Sequence, residues 1–138
     1  MIELTDDMKQ SLSTALTDRA PVIVAYTDAD GQPSISFRGT VQAFSDTQLA
    51  IWARNPDGGL PKAIGTNPKL ALMYRNMAER KGWQFQGSAR ITTDQAERDT
   101  IYDNSPERER DSDPDRKGIA IIVDLDRVIA RGEVLMER

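Results

Sequence analysis

The sequence predicts a mainly β protein with short helices: a six-stranded antiparallel β-barrel filling a single domain, residues 1–138. Three observations carry this expectation. Two long stretches, Ser34–Phe44 and Trp83–Thr92, alternate cleanly between faces; the connections between strand-like runs are hairpin-length; and Gly39 and Gly87 stand where a closing barrel needs its strands to curve.

The elements follow in order. Leu4, Met8, Leu12 and Leu16 recur every four residues and make one apolar stripe of a helix, with Thr5 as its N-cap and Asp6 and Asp7 in the first turn, where the helix dipole favours acids. Val22–Thr27 is β-branched and aromatic and reads as a strand, and Asp30-Gly31 closes a hairpin. Ser34–Phe44 reads as one long strand, with Ile35, Phe37, Gly39, Val41 and Ala43 on one face. After a turn at Ser45-Asp46-Thr47, Leu49–Arg54 completes a three-stranded meander. Leu60–Thr66 is a short helix with Pro61 in its first turn, closed by Asn67-Pro68. Lys69–Arg75 reads as a central strand, Met77–Lys81 as a turn and Trp83–Thr92 as a long strand. Thr92 or Thr93 caps a helix running to about Tyr102. Asp103–Lys117 has mixed charge and no large apolar residue, the pattern of a solvated excursion with a short polar helix after Ser105-Pro106. Gly118–Leu125 returns as a strand, and Val128–Met136 adds a last edge. Asp124 and Asp126 flank Leu125 at a strand end, where a turn accounts for them.

Composition narrows the chemistry. Histidine and cysteine are both absent from the 138 residues, which removes imidazole-based triads, histidine zinc and haem ligation, disulfides and thiolate nucleophiles. The net charge of −4 disfavours nucleic acid as a partner, since phosphate-backbone binding uses clustered Lys and Arg. No apolar run approaches the ~20 residues of a membrane span. The acidic start Met1-Ile2-Glu3-Leu4 lacks the pattern of a signal peptide, so the expected location is cytoplasmic. Any redox chemistry must then come from a bound cofactor.

One stretch reads as a binding site. Trp52-Ala53-Arg54-Asn55-Pro56-Asp57-Gly58-Gly59-Leu60-Pro61-Lys62 runs from a strand through a glycine loop into a short helix. Free amides at such a helix start bind anions, and Lys62, Arg54 and Arg38 supply positive charge nearby. A glycine loop with surface cations is the competing reading, and Asp57 opposes an anion there. Trp52, Trp83, Tyr26 and Tyr74 offer rings that stack on a flat ligand or pack in a core or interface.

Taken together, Pro33-Ser34-Ile35-Ser36-Phe37-Arg38, Ala63-Ile64-Gly65-Thr66-Asn67-Pro68-Lys69-Leu70 and Phe85-Gln86-Gly87-Ser88-Ala89-Arg90 resemble, in order and spacing, the pyridoxamine 5′-phosphate oxidase-like split barrels, a family of FMN-binding proteins. The resemblance covers roughly residues 5–130. It implies a split barrel working as a homodimer, with cofactor sites between the two copies. Ser36, Phe37 and Arg38 would contact the ring and ribityl chain; Arg54, Gly59 and Lys62 would hold the phosphate; Trp83 and Gln84 would reach in from the partner subunit. The implied cofactor is FMN, a deazaflavin being the alternative, and the implied activity is hydride transfer between NAD(P)H and a small molecule. The rival is a dimer that binds a flat ligand, or nothing, without turnover. Two departures matter. The family's phosphate-gripping lysine, counted back from Asn67, falls on Leu60. The chain also stops without the C-terminal arginine segment that serves vitamin B6 oxidation, so that activity is not expected.

Overall fold

The computed structural model describes all 138 residues. Its elements are α1 (Asp6–Ser13), β1 (Val22–Thr27), β2 (Pro33–Arg38), β3 (Gln42–Ser45), β4 (Gln48–Ala53), α2 (Gly59–Thr66), β5 (Lys69–Asn76), β6 (Lys81–Thr92), α3 (Gln95–Asp103), α4 (Glu107–Asp111), β7 (Ile119–Ala130) and β8 (Glu133–Glu137). The strands lie in the order β2-β1-β5-β6-β7-β4-β3, all antiparallel, with β8 on the half of β7 that β4 leaves free. There are eight strands rather than the expected six. The sheet does not close, because β2 and β3 form its two edges.

That seam is where sequence and structure part most clearly. Ser34–Phe44 is not one strand, and the expected meander does not form. β2 pairs with β1, while β3 pairs with β4 at the opposite end of the strand order. Gly39-Thr40-Val41 carries the chain across. Thr40 fixes the crossing with its side chain: Oγ1 donates to the Trp52 carbonyl (2.8 Å) and the Trp52 N–H donates back to Oγ1 (3.0 Å). A hydroxyl here replaces a ladder bond, and the alternation of faces flips at the crossing: Ile35 and Phe37 stand exposed on the outer face of β2, whereas Val41 and Ala43 pack into the main core, so the single face expected for these four residues does not form.

α1 is capped as expected, Thr5 Oγ1 accepting from the Met8 N–H. It stops short of Leu16 because Ser13 and Thr14 hydroxyls both bond back to the Gln10 carbonyl, competing with the helical ladder. Asp94, not Thr92 or Thr93, caps α3, and its carboxylate accepts from the Glu97 N–H.

The main core lies on the inner face of the sheet. Val24, Leu72, Phe85 and Val128 form one cross-strand row within it, all essentially inaccessible. Each buried large side chain contributes about 1.5–3 kcal/mol. A second, smaller cluster lies on the other face of β4 and β7. There Ala50, Trp52, Ala120 and Ile122 are roofed by Ile101 and Tyr102 of α3.

Residues 103–117 are mostly exposed, as a solvated excursion with a short polar helix requires, but Ser105 and Asp113 are buried exceptions beneath this roof. Asp113 in that segment is only 8% exposed and holds the roof down. Its carboxylate accepts from Trp52 Nε1 (2.9 Å), Gly118 N (2.9 Å) and Lys117 N (3.0 Å), while Tyr102 Oη donates to the Asp113 and Arg110 carbonyls. Asp124 and Asp126 are not turn residues. Both lie within β7, where Asp124 accepts from Gln48 and Arg90, and Asp126 pairs with Lys69 and Arg138.

The four non-glycine residues with positive φ are all arginines: Arg19, Arg80, Arg116 and Arg131. Left-handed backbone costs an L-residue about 1–2 kcal/mol. No helix is long and apolar enough to cross a membrane.

Candidate functional site

The seam opens a cleft of about 650 Å³ where the end of β2, the end of β4 and α4 converge. The expected neighbours Arg38 and Arg54 do meet here, brought together by the crossing at Gly39–Val41 rather than by a meander. Ser36 and Arg38 stand opposite Val24 and Val22, so they face inward from the edge strand. Ser36 Oγ and Arg38 Nε are two of the four buried side-chain polar atoms in the chain that have no hydrogen-bond partner. A buried donor without a partner is costly, of order 1–3 kcal/mol, and a ligand acceptor placed here removes that cost.

Two features reached the cleft without any sequence signal. Lys117 adds a third cation, and Glu109 brings an acid from the polar helix α4. The Glu109 carboxylate lies 3.7 Å from Arg54 Nε and is mostly shielded from solvent. Glycine at 39 leaves room for it: a Cβ there would stand 2.5 Å from Glu109 Oε1 and make that flexible side chain shift. Asp113 borders the same cleft with its carboxylate fully engaged. Burial pushes its pKa up, but the hydrogen bonds from Trp52, Gly118 and Lys117 and the charge of Arg54 outweigh burial, and its pKa ends below the ordinary 3.8.

Phe37 also lines the cleft, and the other expected residues lie outside its lining. Gly59 opens α2 and is set against Tyr26, whose hydroxyl occupies the space a side chain at 59 would need. Lys62 is exposed and does not line the cleft. Leu60, at the family's lysine position, is wholly buried in the main core. Trp83 stacks on Tyr74 (5.5 Å between centroids, 19° between planes). Phe37 and Gln84 share one outer-face row, Phe37–Ile23–Met73–Gln84–Ile129–Val134, and Gln84 accepts from Gln86 Nε2. Phe37 is 68% exposed and its face-mate Ile35 70%.

An antiparallel sheet split at one seam, with Arg38, Arg54 and Lys117 lining the cleft there, defines a split-barrel protein. Comparison with known proteins takes this further. Residues 8–128 match the family described as pyridoxamine 5′-phosphate oxidase, and the chain belongs to the pyridoxamine 5′-phosphate oxidase-like family. No curated protein matches. Among solved structures the fold is similar to HupZ of Group A Streptococcus, with TM-score 0.73 and 21% identity over 95% of this chain and 96% of that one. It is also similar to general stress protein 26 of Bacillus anthracis str. Sterne (TM-score 0.68, 16% identity, 93% and 97% covered). A third is a pyridoxamine 5′-phosphate oxidase-related, FMN-binding protein of Nostoc punctiforme PCC 73102 (TM-score 0.68, 12% identity, 93% and 84% covered).

FMN is the cofactor this family implies, and the donor set tests it. The orphaned Arg38 Nε, with Arg54 and Lys117 lining the same cleft, fits the phosphate of such a molecule, while Ser36, whose Oγ is also unpartnered, is not among the lining residues. The buried Leu60 contributes nothing to a phosphate, and Glu109 competes with one.

Proposed function

We propose that the protein is a flavin-type oxidoreductase that binds FMN, or a deazaflavin, between two copies of the chain and passes hydride from a reduced nucleotide to a small acceptor. The observation that carries this reading is the buried, unpartnered Arg38 Nε in a cleft that Arg54 and Lys117 also line, with a second unpartnered donor, Ser36 Oγ, two residues before it on β2. The flavin ring supplies the hydride chemistry; the chain has no histidine or cysteine and needs no dedicated acid or base. Arg38 and Arg54 neutralise the ligand's anionic end, Ser36 donates to its polyol, and Phe37 offers an aromatic face beside them. A second copy is the proposed cover for the outer face of β1 and β2, where Phe37 and Ile35 stand exposed. Gln84, on the same face, would then reach toward the other copy's cleft.

A binding protein without turnover is the second reading, favoured by Leu60 in the core and Glu109 in the cleft. Flavin fluorescence titration and sedimentation separate the two. Saturable FMN quenching by a dimer, followed by bleaching with NAD(P)H, supports the enzyme; saturable quenching without bleaching supports the binding protein. A strictly monomeric protein that takes up no flavin removes both.

The same titration reads the cleft residue by residue. Arg38→Ala is expected to weaken FMN at least tenfold without lowering Tm, since a charged contact worth about 1.5–3 kcal/mol is lost. Glu109→Gln is expected to strengthen FMN about threefold to tenfold by removing the competing charge. Unchanged affinity in both variants would place the flavin elsewhere.

A further inference from the structure

Two hairpin tips, residues 77–80 between β5 and β6 and residues 131–132 between β7 and β8, overhang a second cleft of about 440 Å³. Its walls carry Arg75, Arg80, Lys81 and Arg131 and no acid, in a chain whose net charge is −4. Lys81 is already paired with Asp7 at 2.8 Å. The three arginines have no carboxylate within 4.0 Å, although Glu79 and Glu133 are their neighbours in sequence. Arg75 Nε reaches only the Met77 sulfur; the guanidinium groups of Arg80 and Arg131 make no hydrogen bond at all.

Arg80 (φ +54°) and Arg131 (φ +52°) are also held in left-handed backbone. The two-residue turn Arg131-Gly132, with both φ positive, takes Asn-Gly, Asp-Gly or Gly-Gly most readily. Arginine at both tips therefore strains the backbone and gathers like charges, and neither side chain makes a compensating contact within the fold. Arg116 shares the backbone conformation but uses its guanidinium on Asp99, Asp103 and the Tyr102 ring. Arg19 shares it alone at a turn. It is the convergence of Arg75, Arg80 and Arg131 on one cleft that points to a ligand. Arginine forks match phosphate oxygens, and Met73 and Ile129 supply an apolar floor.

We propose that this cleft is a second anion site, for a multiply charged organic phosphate whose planar or apolar part lies on Met73 and Ile129 while its phosphates meet Arg75, Arg80 and Arg131. The assignment uses one protomer's own residues and needs no flavin. Where the flavin reading also holds, the reduced nucleotide is the molecule that brings such charge.

Calorimetric titration of flavin-free protein at low salt, with NADPH, NADH and inorganic pyrophosphate as probes, tests it. NADPH, with its extra phosphate, is expected to bind at least tenfold tighter than NADH, and pyrophosphate more weakly than NADPH. The Arg80→Gly, Arg131→Gly double variant is expected to lose at least tenfold in NADPH affinity. Its Tm should hold or rise, because glycine relieves both turns, and its FMN titration should match the parent's. No binding of any probe at millimolar concentration, pyrophosphate binding as tightly as NADPH, or a double variant that binds NADPH like the parent each overturns the proposal. The FMN titration of the same variants reads the seam cleft separately, so failure of one site is distinguishable from failure of the other.

Discussion

Asp113→Ala is expected to destabilise the protein by about 3 kcal/mol, lowering Tm by about 10 °C. The side chain is buried, and three donors end on it: the Trp52 indole and the backbone N–H groups of Lys117 and Gly118. Alanine leaves all three without a partner under a roof that water enters poorly. Gly118 cannot be moved to compensate, since it is packed tightly against the Ala53 carbonyl and the Trp52 ring. Asp113→Asn keeps one acceptor and should cost less. The pH dependence has a definite sign. Because the folded carboxyl titrates below its ordinary 3.8, its stabilisation is complete above that value and is lost as pH falls through the lower folded value. Urea melts of parent and Asp113→Ala should therefore differ most at neutral pH and converge in acid below 3.8. A gap that widens in acid would mean that the carboxylate is not what holds the segment.

Gly87→Ala is expected to cost about 3 kcal/mol, the upper end of what overpacking does. Gly87 sits at the bulge where β6 slips register against β7, with Gln86 opposite Arg127 and Gly87 opposite Leu125. An added Cβ would press on the Asp124 carbonyl oxygen and lie 3.0 Å from Leu125 Cα. These are backbone atoms of a central strand, so relief requires moving the sheet rather than a side chain. Gly65→Ala is the internal control: nothing lies within 4 Å of a Cβ in that helix, and substitution there should be neutral or stabilising by up to about 1 kcal/mol. Chemical denaturation of both variants checks the pair, and equal stabilities would refute the bulge argument.

Much of the scaffold was legible because it is written locally. The Thr5 cap, the Asp30-Gly31 turn, Asn67-Pro68 at the end of α2 and the alternation along β6 each follow from neighbouring residues, and each is where expected. The site was legible in part. Phe37, Arg38 and Arg54 line one cleft, whereas Ser36, Gly59 and Lys62 lie outside its lining and Trp83 and Gln84 border another. The cluster at Arg75, Arg80 and Arg131 left no pattern in the sequence, since Arg131 comes from a second hairpin brought beside the first only by the pairing of β6 with β7.

By itself, then, the chain determined which residues are extended, where it turns, which positions are apolar, and that no histidine or cysteine is available for chemistry. Only the tertiary structure decided which edge each half of Ser34–Phe44 joins, and that Asp113 and Glu109 turn inward. The reason is physical. A period of two specifies the faces of a strand but says nothing of its partner, and a carboxylate becomes buried only when distant donors, here Trp52 and Arg54, are brought to meet it.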